Sequence, residues 1–267
     1  MVLVDGKKIA ADIAAAVKVK VAALQTPVRL VVVACDPNFE TQKYLALKKT
    51  RAESLGITLV VEALTRESDT AAVIAAITAS LPNTDGVVVQ LPLPSHIDTK
   101  AVLAAVPATY DVDAFTYQGE PAAVVLPPVV AAIAEIAERH SITWAGKNVV
   151  VFGSGRLVGA PAAAYALTEG AHVTVLDETS LNTADIARTA DIIILGVGKP
   201  NLLTPDMVKE GVVVFDAGAS EDGGLLVGDA APTVAEKAAL FTPVPGGIGP
   251  ITVAVLFQNL LELKVRQ

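Results

Sequence analysis

The chain has 267 residues, 52% of them hydrophobic but only 4% aromatic, and its 28 acidic against 20 basic residues leave a formal charge of −8. Such an acidic surface is repelled at long range by nucleic acid and by anionic membranes, so no nucleic acid and no membrane is expected as partner. A single cysteine, Cys35, excludes an intramolecular disulfide, and the scattered His96, His140 and His172 give no metal-ligand spacing, so no metal is expected.

The length suits one or two domains, and a composition rich in Ala, Val, Leu and Ile suits helices packed on a parallel sheet. No run reaches the ~18 consecutive apolar residues of a spanning helix, and Pro127-Pro128 interrupts the candidate at residues 122–134. The first residues lack the order of a secretory signal, so a cytoplasmic protein is expected.

Residues 7–24 carry apolar positions at helical spacing after Asp5-Gly6, which can cap the start. A buried-type strand follows at 28–35 and ends in Cys35, read as a buried or half-buried thiol. The pattern continues with a helix at 43–55 closed by Gly56, a strand at 57–63, and a helix at 69–80 with Asp69 near its cap. The strand at 86–90 ends in one amide, Gln90, followed by the spaced prolines Pro92 and Pro94. Ligands of open α/β sheets bind outside such carboxyl ends, and prolines stiffen the turn that holds the amide.

A second series begins after the break at Gly119-Glu120-Pro121. It reads as a helix near 129–140, a strand at 148–152, a helix at 158–168, strands at 172–176, 192–195 and 212–216, and a last helix at 252–264 after a Gly/Pro-dense loop. Alternating strand and helix predicts two α/β domains, each with a parallel sheet and crossover helices. The boundaries expected are 1–119 with 251–267 for the first domain and 120–250 for a Rossmann-like second, the last helix returning to the first.

The strand ending at Phe152 runs into Gly153-Ser154-Gly155-Arg156-Leu157-Val158-Gly159, a dinucleotide-type turn with one extra residue before the third glycine. Its glycines let backbone N–H groups approach a pyrophosphate, and the helix start adds partial positive charge. The next strand ends in Asp177-Glu178, at about the interval where an acid receives the ribose hydroxyls of NAD. No Lys or Arg stands in Asp177-Glu178-Thr179-Ser180 to accept the extra phosphate of NADP. Gly198 and Ala219 follow two further strand ends and suit backbone contact with nicotinamide or ribose, although each also fits an ordinary turn.

Several motifs stand in a recognisable order: Thr41-Gln42-Lys43-Tyr44 with Lys48, VQLPLPSHID from Val89, Asp111-Val112-Asp113, the glycine turn, and TPVPGGIGPIT from Thr242. Together they resemble the bifunctional methylenetetrahydrofolate dehydrogenase/cyclohydrolase family over about residues 2–263. The resemblance implies oxidation of 5,10-methylenetetrahydrofolate by hydride transfer to NAD or NADP, then hydrolysis of the methenyl product to 10-formyltetrahydrofolate, in a homodimer. It also implies roles. Lys48 resembles the catalytic lysine, Tyr44 would pack on the folate ring and help orient that lysine, Gln90 would tune the lysine, and Asp113 would bind the pterin's amino-pyrimidine edge. Gly246 and Gly247 would form a backbone wall beside the substrate.

The chemistry is coherent with those residue types. A lysine near its usual pKa of ~10.4 is a poor base at neutral pH, so burial or a partner must favour the neutral amine. Tyr44 and Lys48, four apart, share one helix face. Where the family has Arg-Ser this chain has Ser154-Gly155, and Asp177-Glu178-Thr179-Ser180 replaces a His-Ser-basic-Thr string. Both changes weaken a 2′-phosphate site and favour NAD, unless Arg156 turns toward the ribose. Ala114 also replaces the glycine of Asp-Val-Asp-Gly, and Val125-Leu126-Pro127-Pro128 replaces Pro-Cys-Thr-Pro. Two other readings share this plan: a dehydrogenase of another small substrate, and a nucleotide-binding regulatory relative without catalysis.

Overall fold

A computed structural model describes residues 1–120 and 123–267, and their side chains apart from those of Phe39, Glu40, Lys43 and Tyr44. In chain order the elements are β1 (Val2–Leu3), α1 (Gly6–Ala23), β2 (Val28–Cys35), α2 (Phe39–Ser54), β3 (Ile57–Leu64), α3 (Thr70–Ser80), β4 (Gly86–Val89), α4 (Thr99–Ala104) and α5 (Pro128–Arg139). They continue with β5 (Asn148–Phe152), α6 (Gly159–Thr168), β6 (His172–Leu176), α7 (Thr183–Thr189), β7 (Ile192–Leu195), β8 (Val212–Asp216), β9 (Ser220–Asp222), β10 (Leu225–Val227), β11 (Ala238–Phe241) and α8 (Ile248–Arg266).

The chain divides into two compact units. One comprises Asp12–Thr116, Val124–Leu126 and Val253–Gln267. Its parallel sheet has the order β3-β2-β4, with a bridge from Val87 to Asp111 extending the outer edge of β4. Val31, Val33, Val87 and Val89 pack with Val73, Ile77 and Leu103 in the core. Near-continuous apolar strands are what a sheet covered on both faces requires. The last helix closes this unit: a Cβ on Gly86 would lie 2.4 Å from Val112 and 2.6 Å from Leu260, so only glycine lets the strand pass there.

α8 is long and apolar enough by length and composition to cross a membrane. Its Ile251, Leu256, Phe257, Leu260 and Leu261 are buried, which is the pattern of a core helix. Its far end is tied down by charge. Lys264 Nζ bonds Asp85 Oδ1 at 2.8 Å and Pro27 O at 3.1 Å, while Asp85 Oδ2 accepts the Arg29 N–H at 2.7 Å.

The other unit comprises Met1–Ala11, Tyr117–Ala123 and Pro127–Thr252, and holds an all-parallel six-stranded sheet of order β1-β11-β8-β7-β5-β6. The chain leaves β5 toward β6 on one side and returns as β7 on the other, which makes the β5/β7 boundary a switch point where α/β sheets bind ligands. In the first unit the β2/β4 boundary has the same character.

The expected α/β plan with parallel sheets is observed, including the return of α8. The boundary expected at residue 1 differs. β1 extends the six-stranded sheet by pairing Val2 and Leu3 with Leu240 and Phe241 of β11, so the first eleven residues belong with the nucleotide-type unit. Residues 124–126 lie with the first unit, where Asn259 Nδ2 donates to the carbonyls of Leu126 and Val112, both at 2.9 Å. Helix starts also moved. α2 begins four residues early because the Asn38 side chain caps it, accepting from Thr41 N, and α8 begins at Ile248 because Pro250 is tolerated in a first turn.

The Lys264–Asp85 pair has little solvent access, with side chains 13% and 17% exposed. Asp85→Ala leaves the Lys264 ammonium with the Pro27 carbonyl alone and takes the acceptor from the Arg29 amide, and should lower stability by about 2 kcal/mol, read as a shift in the urea midpoint at constant slope. An unshifted midpoint would show that water replaces the pair at no cost.

Candidate active site

Lys48 lies in the third turn of α2, the helix that follows β2, and its side chain is only 7% exposed. Its Nζ donates to Gln90 Oε1 at 3.1 Å. Gln90 continues the β4 ladder with its own N–H on Val33 O at 2.8 Å, and its Nε2 is held by Leu91 O at 2.8 Å. The amide therefore presents its oxygen to the lysine in one fixed orientation. Tyr44 stands one turn earlier on α2, and its side chain lies outside the described residues.

Burial lowers the pKa of Lys48 from its ordinary value, and the charge of Asp113 partly opposes this. The same burial raises Asp113 to about 6, opposed by Lys48. Asp113 keeps part of its surface accessible while densely surrounded by protein, the condition of a group at the floor of a depression. Lys48, Gln90 and Asp113, singled out in the sequence, are thus brought together at the β2/β4 switch point.

Asp111 anchors the turn that carries Asp113. Its carboxylate accepts Asp113 N at 3.2 Å and Phe115 N at 2.8 Å, and burial together with the Asp113 charge raises its pKa to about 7. Ala114, which follows, has φ +50°, the left-handed region where a Cβ costs roughly 1–2 kcal/mol. A glycine at this position would avoid that strain, so the departure noted in the sequence falls on a strained backbone beside Asp113.

Past the ends of β2 and β4 lies a hollow of about 310 Å³ lined by Cys35, Asp36, Arg66, Ser95 and His96 with Pro92–Pro94. Cys35 is buried, its thiol donates to Thr65 O at 3.2 Å, and burial with the nearby Asp36 and Glu67 charges raises its pKa. A thiol so placed is a poor nucleophile.

In the other unit, Gly153 has φ +92°, and its N–H bonds Leu176 O at 2.7 Å, so the turn leaves β5 against the end of β6. A Cβ on Gly159 would lie 1.9 Å from Gly153 O, which requires glycine at the start of α6. Ser154, Gly155 and Arg156 are exposed, and nothing lies within 4 Å of a Cβ built on Gly155. The turn is therefore an open cradle at a helix start, which fits a nucleotide pyrophosphate.

Asp177, at the end of β6, is exposed. Its Oδ1 accepts Thr179 Oγ1 at 2.7 Å, Ser180 Oγ at 3.0 Å and Thr179 N at 2.9 Å. The Thr179 and Ser180 hydroxyls hold its pKa below the usual carboxylate value, so it stands ionised on a rigid turn.

Gly198 and Ala219 are exposed at the ends of β7 and β8. The N–H of Gly198 is already used, however, donating to Asp229 Oδ2 at 3.1 Å, so this residue offers a ligand no free amide. Gly246 and Gly247 are seated on the chain start. Gly6 N donates to Gly246 O at 2.9 Å, and a Cβ on Gly6 would lie 1.8 Å from Gly247 O. Gly6 was read only as part of a helix cap; its role in this seat depends on a partner some 240 residues away and had no local signal. Asp111, Asp216 and Asp229 likewise escaped the sequence reading as positioning groups, since acids near strand ends are ordinarily solvated. A buried-type strand ending in Asp216 was the one available hint.

Fold and site define a two-unit α/β protein of the nucleotide-dependent enzyme class, with a buried helix-borne amine at the strand ends of one sheet and a dinucleotide-type turn on the other. Comparison with known proteins makes the assignment specific. The model of the tetrahydrofolate dehydrogenase/cyclohydrolase catalytic domain matches residues 4–113, and that of the corresponding NAD(P)-binding domain matches residues 127–267. The bifunctional protein FolD of Campylobacter curvus is 37% identical over 274 residues, covering 98% of this chain and 95% of that protein. The crystal structure of the bifunctional enzyme FolD from Campylobacter jejuni superposes with a TM-score of 0.95 at 33% identity over 100% of both chains. The Trypanosoma brucei enzyme, whose structure is described as complexed with NADP cofactor and inhibitor, gives 0.91 at 30% identity over 99% of this chain and 97% of that one. This chain belongs to the tetrahydrofolate dehydrogenase/cyclohydrolase family.

The raised pKa of Asp111 has a defined sign. A carboxyl raised from 3.8 to about 7 contributes stability that is fully present below 3.8 and lost as pH rises through about 7. Asp111→Asn keeps one oxygen for the turn amides and cannot ionise. Its stability relative to the parent chain should therefore improve as pH rises from 5 to 8 in urea titrations. A pH-independent difference would mean that Asp111 is not shifted.

Proposed function

We infer that the chain oxidises 5,10-methylenetetrahydrofolate with a nicotinamide nucleotide and hydrolyses the methenyl product to 10-formyltetrahydrofolate. The observation that carries this reading is the buried Lys48 amine held on Gln90 beside Asp113. Bound nicotinamide would supply the acceptor for the hydride that leaves the methylene carbon.

The residues of the chain supply the rest. Burial favours the neutral amine of Lys48, which can take one proton from water as that water adds to the methenyl carbon; the remaining hydroxyl proton passes to the leaving nitrogen as one carbon–nitrogen bond breaks and the formyl C=O forms. Gln90 aims the amine by accepting one of its N–H bonds. Asp113, when ionised, can receive two N–H donors from an amidine-like edge, which is what a pterin offers. Ser154, Gly155 and Arg156 would line the pyrophosphate. Tyr44 would complete the folate site by family resemblance.

NAD is the nucleotide we propose as preferred. The support is Asp177, ionised and fixed by its own turn at the end of β6. A carboxylate there accepts ribose hydroxyls and repels a 2′-phosphate.

Steady-state turnover of 5,10-methylenetetrahydrofolate with NAD⁺ or NADP⁺, following methenyl and reduced nicotinamide together, tests the activity directly. Lys48→Met should lower methenyl hydrolysis by about 10²–10⁴-fold, the usual worth of a general base, with nucleotide affinity unchanged. Undiminished hydrolysis in the folded variant would take Lys48 out of this role. Asp177→Ser should reduce the NAD over NADP preference by about tenfold, the scale of one charge-assisted hydrogen bond; an unaltered ratio would sink the assignment to Asp177.

A further inference from the structure

We infer that Asp229 is a positioning residue for nicotinamide-nucleotide binding, acting by moulding the loop at the end of β7 around its own buried carboxylate. The inference rests on the nucleotide-dependent reading above and adds a residue to it.

Asp229 is fully buried. Its Oδ2 accepts Val197 N at 2.7 Å and Gly198 N at 3.1 Å, and its Oδ1 accepts Lys199 N at 2.7 Å. Three successive backbone N–H groups converging on one anion form a nest, the arrangement that elsewhere captures phosphate. Here the anion is internal. The loop is wound around a side chain delivered from thirty residues downstream, and its amide donors are spent before any ligand arrives.

The carboxylate is itself held from behind. Asp216, at the end of β8, accepts Asp229 N at 3.2 Å and Gly218 N at 2.9 Å on Oδ1, and Ala230 N at 2.8 Å on Oδ2. Its own N–H donates to Thr242 Oγ1 at 2.7 Å. The fit leaves no slack. A Cβ on Gly218 would lie 2.2–2.5 Å from the Asp229 carboxyl atoms, and one on Gly228 would lie 2.2 Å from Asp216 Oδ2.

The held loop lies against the nucleotide turn. A Cβ on Gly153 would stand 3.3 Å from Gly196 O and from Val197 Cγ2, so the two strand ends that flank the switch point are in contact. A loop released from Asp229 would have three unpaired N–H groups and no single conformation. It would then compete for the space and the phosphates that belong to the cradle. Asp229 touches neither nucleotide nor substrate in this account, and its effect on binding passes through residues 196–199.

Methenyl hydrolysis consumes no nucleotide, so the same protein supplies its own control. Asp229→Asn replaces one acceptor oxygen by a donor and should raise the dissociation constant of NAD⁺ by about tenfold or more, measured by calorimetry, because it breaks charge-assisted bonds. Methenyl hydrolysis should stay within about twofold. Gly218→Ala leaves Asp229 in place but displaces its carboxylate, and should weaken NAD⁺ binding in the same way if the first variant does not fold. Unchanged NAD⁺ affinity in either folded variant overturns the inference, as does a parallel loss of hydrolysis and binding, which would mark a general structural role. A parent chain that binds NAD⁺ without turning over folate would refute the proposed function, while the calorimetric comparison would still decide the role of Asp229.

Discussion

An ionisable group taken out of water must be paired, hydrogen-bonded or neutralised, and both units of this chain are organised around that constraint. In the unit built on β2 and β4, one lysine and two acids are buried within reach of one another, and each shifts toward its neutral form. In the other unit, two buried carboxylates are satisfied almost entirely by backbone N–H groups. The first solution yields groups that can exchange protons near neutrality. The second yields rigid loops.

Among the described residues no buried side-chain nitrogen or oxygen lacks a partner. Complete satisfaction explains how so many polar groups coexist with cores of valine, isoleucine and leucine. It also locates function, because Lys48 and Asp113, shifted toward their neutral forms, gather beside Gln90 at the β2/β4 switch point. Asp216, at the end of β8, is both fully hydrogen-bonded and shifted: burial raises its pKa to about 6 even though three backbone N–H groups oppose the shift.

Close backbone approach is the second device. Gly6, Gly86, Gly159, Gly218 and Gly228 each occupy a place where a Cβ would meet atoms under 3 Å away. They let a loop sit on the chain start, a strand pass a helix, a helix enter against its own turn, and two carboxylates fit between loops. Ala114 runs the other way, bearing a side chain in the left-handed region next to Asp113.

Local periodicity and punctuation in the sequence were sufficient for the alternation of strand and helix, the glycine turn, the amide at the end of β4, and the i,i+4 relation of Tyr44 and Lys48. Each depends on a few neighbouring residues and the 3.6 or 2.0 repeat of the backbone. The family motifs likewise stood in continuous strings. Tertiary structure alone decided that β1 joins β11, that Gly6 seats Gly246 and Gly247, and that Asp229 fills a nest formed by residues 197–199. Hydrogen bonds between distant segments leave no trace in local pattern, and a buried acid has the same letter as a solvated one. Burial, which sets the protonation of Lys48, Asp111 and Asp113, exists only once the chain has closed around them.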